Sequence, residues 1–346
     1  MRRVEIAALG EVRLIEAETP TPGAGEVLVR TRRVGLCGSD LHALAGTHPF
    51  IDLPYSPGHE VVGTVEGLGP DASGFNVGDR VLVEPNLVCG QCGPCRSGRY
   101  NLCLKLKVFG CQTPGAMADF FTIPTGRPHA VPETLSDEEA ALVEPLSTAM
   151  HATRLAGEIR GRKVVILGAG PIGLLTLAVV LRSGATDVTV TDLVESKRRR
   201  AERIGATRTY DGADPNVPAL LRGRFDGPAD LVFDCVSSQA SVEQAVEIAL
   251  NGGKVVVIGV ARGSALLPLH LLQDREVALQ GSAMYVGTDV RAAIALMESH
   301  ALPTAEIVTS TFELADAQRA FAVATDPDQA KVHLFVAPTS AGGPAA

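Results

Sequence analysis

Positive charge is scarce in this chain. Its 31 Lys and Arg face 39 Asp and Glu, a formal net charge of −8, so it carries no basic footprint for nucleic acid. The one local basic run, Lys197-Arg198-Arg199-Arg200, reads as a solvated helix face. An apolar leader is also lacking. Glu5 and Glu11 interrupt MRRVEIAALGEVRLIE before any long apolar run, and no secretory signal is expected. Apolar sequence of membrane length is confined to VVILGAGPIGLLTLAVVL, residues 164–181, which three glycines and a proline interrupt. These absences give a cytoplasmic location as the expectation, with neither nucleic acid nor membrane as partner. In that reducing compartment, seven cysteines point to metal or catalysis rather than to disulfides.

What remains is a globular composition, 46% hydrophobic over 346 residues, which is enough for two domains. Up to about residue 150 the chain reads as short strands and turns. VLVRTRRVGLC (27–37), HEVVGTVEGLG (59–69) and GDRVLVEP (78–85) suit an irregular barrel punctuated by glycine and proline. The middle changes character: strands KVVILGAG, DVTVTD, LVFDCV and KVVVIGV alternate with helices PIGLLTLAVVLRSG, ESKRRRAERIGA and SVEQAVEIALNGG. Such alternation implies right-handed crossovers and a parallel, doubly wound α/β sheet. After about residue 275 the chain passes through GSAMYVGTD into a helix, RAAIALMESH, and a last strand, KVHLFVAP. The end, TSAGGPAA, is expected to fray. No internal repeat is visible.

Gly168-Ala169-Gly170-Pro171-Ile172-Gly173 matches G-x-G-x-x-G between a strand and a helix, the setting of a dinucleotide site. Gly168 permits the tight turn, Gly170 lets backbone approach a pyrophosphate, and Gly173 lets the helix pack close to the strand. The helix amides after Pro171 and Ile172 then face that charge. Asp192 ends the next strand, where a carboxylate binds both adenosine ribose hydroxyls and repels a 2′-phosphate, favouring NAD over NADP. Lys197, a further candidate cofactor contact, and Arg198 stand nearby and could hold a phosphate. The alternative is that both face solvent on the following helix.

Cys89, Cys92, Cys95 and Cys103 are spaced C-x2-C-x2-C-x7-C. Two-residue gaps let one tight turn aim two sulfurs at one ion, and four thiolates close a tetrahedral structural zinc site. A ferredoxin-type run would end in a three-residue gap and a proline, which are absent here. A second constellation, Cys37-Gly38-Ser39-Asp40-Leu41-His42 with Gly58-His59-Glu60, offers thiolate, imidazole and carboxylate. Three protein ligands with one open position would make a catalytic metal site. Cys111 and Cys235 read as structural, the latter a small hydrophobe in an apolar strand.

GLCGSDLH, PGHEVVGTV, GDRV, the four-cysteine lobe, VEPLSTAMHA and GAGPIG occur in the order found in zinc-dependent medium-chain dehydrogenases. The chain resembles their polyol (sorbitol-like), threonine and secondary-alcohol branch. The resemblance implies a GroES-like catalytic domain from residues 1–150 and 276–346, with a zinc lobe at 86–106. It implies a Rossmann dinucleotide-binding domain at 151–275. It further implies a catalytic zinc on Cys37, His59 and Glu60, with Glu144 as a ligand or as the holder of the zinc-bound water. Asp40 then orients the histidine, and Ser39 and His42 form a proton relay. The implied reaction is hydride transfer from a polyol or secondary alcohol to NAD+, in a homodimer or homotetramer, with an amino-alcohol substrate as the alternative. Polyol members often carry a basic residue just before the tyrosine aligned with Tyr285; here that residue is Met284. A non-catalytic zinc- and nucleotide-binding protein is the competing class. Metal analysis of the purified chain separates the two: about two zincs per chain are expected of the enzyme, and about one of a merely structural site.

Overall fold

The structure, a computed structural model, describes residues 1–224 and 229–337. The expected frayed end at 339–346 lies outside the described residues. The apolar run at 164–181 is divided by its glycines into a buried strand, Lys163–Leu167, and a helix, Pro171–Arg182. Proline in the first helical turn sacrifices no hydrogen bond, because those N–H groups have no intrahelical partner. Among the described residues no helix is long and apolar enough to cross a membrane.

Six parallel strands lie side by side in the order Arg208–Asp211, Asp187–Asp192, Lys163–Leu167, Ala229–Asp234, Ala249–Val257, Ala278–Gly281. Numbered along the chain this is 3-2-1-4-5-6, the doubly wound order of dinucleotide-binding sheets. The last strand lies beyond the expected boundary at 275, since pairing with Ala249–Val257 rather than local composition decides its membership. The expected boundary at 150 falls inside one unbroken helix, Asp137–Ala156. Arg208–Asp211 had no sequence signature: it is a half-exposed edge strand, RTYD, without an apolar run.

The remaining sheet joins both ends of the chain. Glu26–Gly35 is flanked by Glu60–Leu68 and Phe120–Pro124, and the last strand, Lys331–Phe335, pairs antiparallel with it at His333–Gly35. One apolar core holds Val4, Val27 and Val34 together with Phe321 and Leu334. The helix Asp137–Ala156 crosses from this sheet to the parallel one, burying Leu142 and Leu146 in a core shared with Val62, Leu175 and Val290. Its start is fixed by a capping box: the Glu139 N–H donates to Ser136 Oγ and the Ser136 N–H to Glu139 Oε2.

At the junction of the two ends, Lys331 Nζ donates to Glu60 Oε1 at 2.6 Å and to the Leu36 carbonyl at 3.0 Å. Their side chains are 2% and 1% exposed. A buried charge deprived of its partner is far more costly than the intact pair. Lys331→Met is therefore expected to lower the unfolding free energy by about 3–5 kcal/mol in urea titrations, with Lys331→Met/Glu60→Gln recovering most of the loss.

Candidate active site

The short helix Gly93–Arg96 follows Cys92, its N-cap, and turns Cys92 and Cys95 toward each other at Sγ–Sγ 3.3 Å. Three further separations are 3.5 Å for Cys89–Cys103, 3.9 Å for Cys92–Cys103 and 4.0 Å for Cys89–Cys95, and all four sulfurs lie within 4.8 Å of one another. A tetrahedral ion with zinc–sulfur bonds of 2.3 Å has edges of about 3.8 Å, so the set fits zinc, whereas a disulfide needs about 2.05 Å. The N–H groups of Cys89 and Lys105 each donate to Cys103 Sγ at 3.3 Å. Backbone N–H groups of Gln91 and Cys92 draw the Cys89 thiol down to about 6. Pairing of Asn86–Leu87 with Lys107–Val108 closes the lobe at its base.

The second constellation is also assembled. Cys37 caps the helix Gly38–Leu44, and His59-Glu60 open the strand Glu60–Leu68. One ligand atom from each of Cys37, His59 and Glu60 lies within 4.8 Å of the others. Glu60 Oε1 is taken by Lys331, while Oε2 is buried without a hydrogen-bond partner. Buried acceptors are normally satisfied, so the orphan oxygen beside a thiol and an imidazole fits a cation. Glu144 lies outside the 4.8 Å group but near enough for His59, Glu60 and Lys331 to act on its charge. Burial pushes its carboxyl up to about 7, and Tyr285 Oη donates to Oε1 at 2.5 Å.

Asp40 is fully buried and within reach of the His59 charge. Its carboxylate accepts from the Cys37 N–H at 2.9 Å and from Tyr55 Oη at 3.0 Å. No hydrogen bond joins it to His59 among the described residues, so it orients the cysteine's backbone. Burial raises its pKa. Ser39 and His42 share the helix that Cys37 caps, both half-buried. His42 Nδ1 lies 3.4 Å from Thr47 Oγ1 and 3.4 Å from Arg262 Nη2, the latter reaching over from the loop after the strand Ala249–Val257. Burial and then the Arg262 charge lower its pKa. Cys111, expected to be merely structural, brings its sulfur within 3.8 Å of His59 Nδ1.

At the glycine turn Gly168 has φ +95°, a left-handed geometry that suits glycine. A Cβ on Gly173 would lie 1.8 Å from the Gly168 carbonyl oxygen, so only glycine permits this close packing. A Cβ on Gly170 would meet nothing within 4 Å; that open side, at the N-cap before Pro171 and Ile172, is room for a pyrophosphate. Asp192 is held at the rim, accepting from the N–H groups of Ala169 at 2.8 Å and Val194 at 2.9 Å. Lys197 is half-buried on the helix Glu195–Ile204. The basic run as a whole is not a solvated face. Arg198 folds back to the carbonyls of Asp192 and Leu193, and Arg200, only 9% exposed, donates to the Asp328 carbonyl.

Sequence reasoning missed Lys331, Tyr55 and the phenol of Tyr285 as parts of this site. A charged residue opening the apolar strand KVHLF was the one available signal, and it marked Lys331. The tyrosines carry no local mark.

Comparison with known proteins gives the family. Residues 23–133 match the alcohol dehydrogenase GroES-like domain and residues 171–299 the zinc-binding dehydrogenase family. Human sorbitol dehydrogenase is 34% identical, the match covering 90% of this chain and 89% of that protein. D-xylulose reductase A of Aspergillus niger is 33% identical over 86% of this chain and 85% of its own length. The crystal structure of galactitol-1-phosphate dehydrogenase from Escherichia coli superposes with a TM-score of 0.90 at 27% identity, covering 97% of this chain and 100% of that one. A dinucleotide turn, two clusters of metal-ligating side chains and near-full-length likeness thus converge: this chain belongs to the zinc-dependent medium-chain alcohol dehydrogenase superfamily and is an oxidoreductase of that family.

Proposed function

We propose that the protein oxidises a polyol or related secondary alcohol to a ketone with NAD+. A catalytic zinc would be held by Cys37, His59 and Glu60, and a structural zinc by Cys89, Cys92, Cys95 and Cys103. The observation that carries this reading is the orphaned, buried Glu60 Oε2 in a group of three ligand atoms within 4.8 Å. When bound, the zinc supplies Lewis acidity toward the substrate oxygen and the nicotinamide accepts the hydride.

The chain's own residues do the remaining work. Lys331 holds one Glu60 oxygen. Asp40 fixes the Cys37 backbone. Glu144, with Tyr285 donating to it, presents a buried carboxyl poised near neutrality on the substrate side. Ser39 takes the hydroxyl proton and His42 carries it toward solvent; its lowered pKa leaves the imidazole neutral at pH 7 and able to accept. Gly168, Gly170 and Gly173 admit the pyrophosphate, Pro171 and Ile172 begin the helix whose amides face it, and Asp192 takes the ribose hydroxyls.

The nucleotide unit in this proposal runs from the helix Asp137–Ala156 to the strand Ala278–Gly281, with the catalytic unit built from both chain ends. The exposed edge of that last strand supports a homodimer or homotetramer paired through the parallel sheets. We place the protein in the cytoplasm. Met284 supports a second reading, a less polar secondary alcohol or an amino alcohol, because its apolar side chain has no donor for a polyol hydroxyl.

In zinc-loaded Cys37→Ser, alcohol turnover is expected to vanish while NAD+ binding persists and bound zinc falls from about two to about one per chain; undiminished turnover would remove the catalytic zinc from this assignment. Polyols, secondary alcohols and threonine, each offered with NAD+ and NADP+ and followed by reduced-nicotinamide absorbance, test substrate and cofactor together. Polyols with NAD+ should react fastest, and Asp192→Ala should narrow the NAD+ preference by about tenfold or more. Inactivity of every alcohol would sink the dehydrogenase assignment.

A further inference from the structure

Between the parallel sheet and the helix Gly287–Glu298 runs a five-residue strap, 283–287, fastened to the four-cysteine lobe. Three of its alternate backbone groups are held by residues in or at the base of that lobe. Asn101 Nδ2 donates to the Ala283 carbonyl at 2.9 Å, and Asn86 Nδ2 donates to the Tyr285 carbonyl at 2.8 Å. The Gly287 N–H donates to Tyr100 Oη. Tyr100 and Asn101 form the turn just before Cys103, and Asn86 opens the strand at the lobe's base. Inside the strap the Val286 N–H donates to Asp289 Oδ2 at 3.0 Å. The same carboxylate oxygen lies 2.8 Å from His151 Nδ1, and His151 Nε2 lies 3.4 Å from Asn101 Nδ2, which closes the circuit.

These contacts are more than a generic docking of one surface on another. Asn86 is 0%, Asn101 4% and Tyr285 1% exposed; each buried amide nitrogen donates to a carbonyl of the strap, while Asn86 Oδ1 is left without a hydrogen-bond partner. Met284, in the middle of the strap, has φ +48°, a left-handed conformation that a side-chain-bearing residue adopts only where its surroundings impose it. The strap is thus held in a shape it would not take alone. What that shape delivers is Tyr285 Oη, 2.5 Å from Glu144 Oε1 on a different element.

We propose that the four-cysteine lobe is a positioning device for the reaction: Asn86, Tyr100 and Asn101 set the strap, and the strap's Tyr285 sets the Glu144 carboxylate. The three lobe residues are positioning residues, since none reaches the reacting atoms. The catalytic consequence rests on the role proposed above for Glu144; the mechanical link does not.

The test uses zinc-loaded enzyme with tyrosine labelled at the ring carbon bearing the hydroxyl. The chain has four tyrosines, and Tyr285→Phe identifies the resonance of interest. Tyr100→Phe and, separately, Asn86→Ser are each expected to move the Tyr285 resonance while both zincs are retained. Tyr285→Phe should lower kcat about tenfold with KM for NAD+ unchanged, the scale of one buried hydrogen bond. Tyr100→Phe should lower kcat several-fold, and Tyr100→Phe/Tyr285→Phe should be no slower than Tyr285→Phe alone. A Tyr285 resonance unmoved in both lobe variants would overturn the link, as would kcat losses that multiply in the double variant. If the resonance moves but neither Tyr285→Phe nor Glu144→Gln slows turnover, the link stands and the role assigned to Glu144 is the part that fails.

Discussion

The cluster of Cys37, His59 and Glu60 depends on one buried ion pair. Glu60 and Lys331 are 271 positions apart, and neither is tolerable in the interior alone. Their meeting joins the two chain ends and offsets the cost of burying the carboxylate. One lysine on one oxygen leaves the other orphaned beside Cys37 and His59. Fold closure and metal readiness are therefore the same interaction.

Around that pair the long helix Asp137–Ala156 acts as the common beam. It carries Glu144 at its middle and His151 and Arg154 near its end, so the candidate acid–base group and the anchor of the strap share one rigid element. The lobe grips the same region from the other side through Tyr100 and Asn101. The four-cysteine lobe and the helix that carries Glu144 are thus tied to a single buried network. His42 supplies a different kind of connection, reaching Arg262 in the loop after the strand Ala249–Val257.

Much of the site was legible because its parts are local. Two-residue gaps place Cys92 and Cys95 on one turn, and the glycine spacing of 168, 170 and 173 encodes the turn, the opening and the close contact found there. The pairing of the chain ends was implied by resemblance and not by pattern, since strand alternation says nothing about which strands meet. The domain edges were legible only coarsely: Ala278–Gly281 is short and exposed, with no apolar run to announce it. Arg200 was read as solvated because a run of four basic residues looks uniform in one dimension, while a helix sends successive side chains in different directions.

The sequence by itself determined the chemistry: which residues can ligate a metal, which turn can admit a dinucleotide, and which family shares their order. Tertiary structure alone decided which of those groups are satisfied and which are left wanting. Asp40 accepts from Cys37 and Tyr55, Glu60 keeps one free oxygen, and Tyr285 finds Glu144 across 141 positions. The reason is physical. Ligand spacing within a turn is set by local backbone geometry, whereas the partner of a buried charge is set by how the whole chain packs, and a lone lysine at 331 carries no local trace of the carboxylate it will meet.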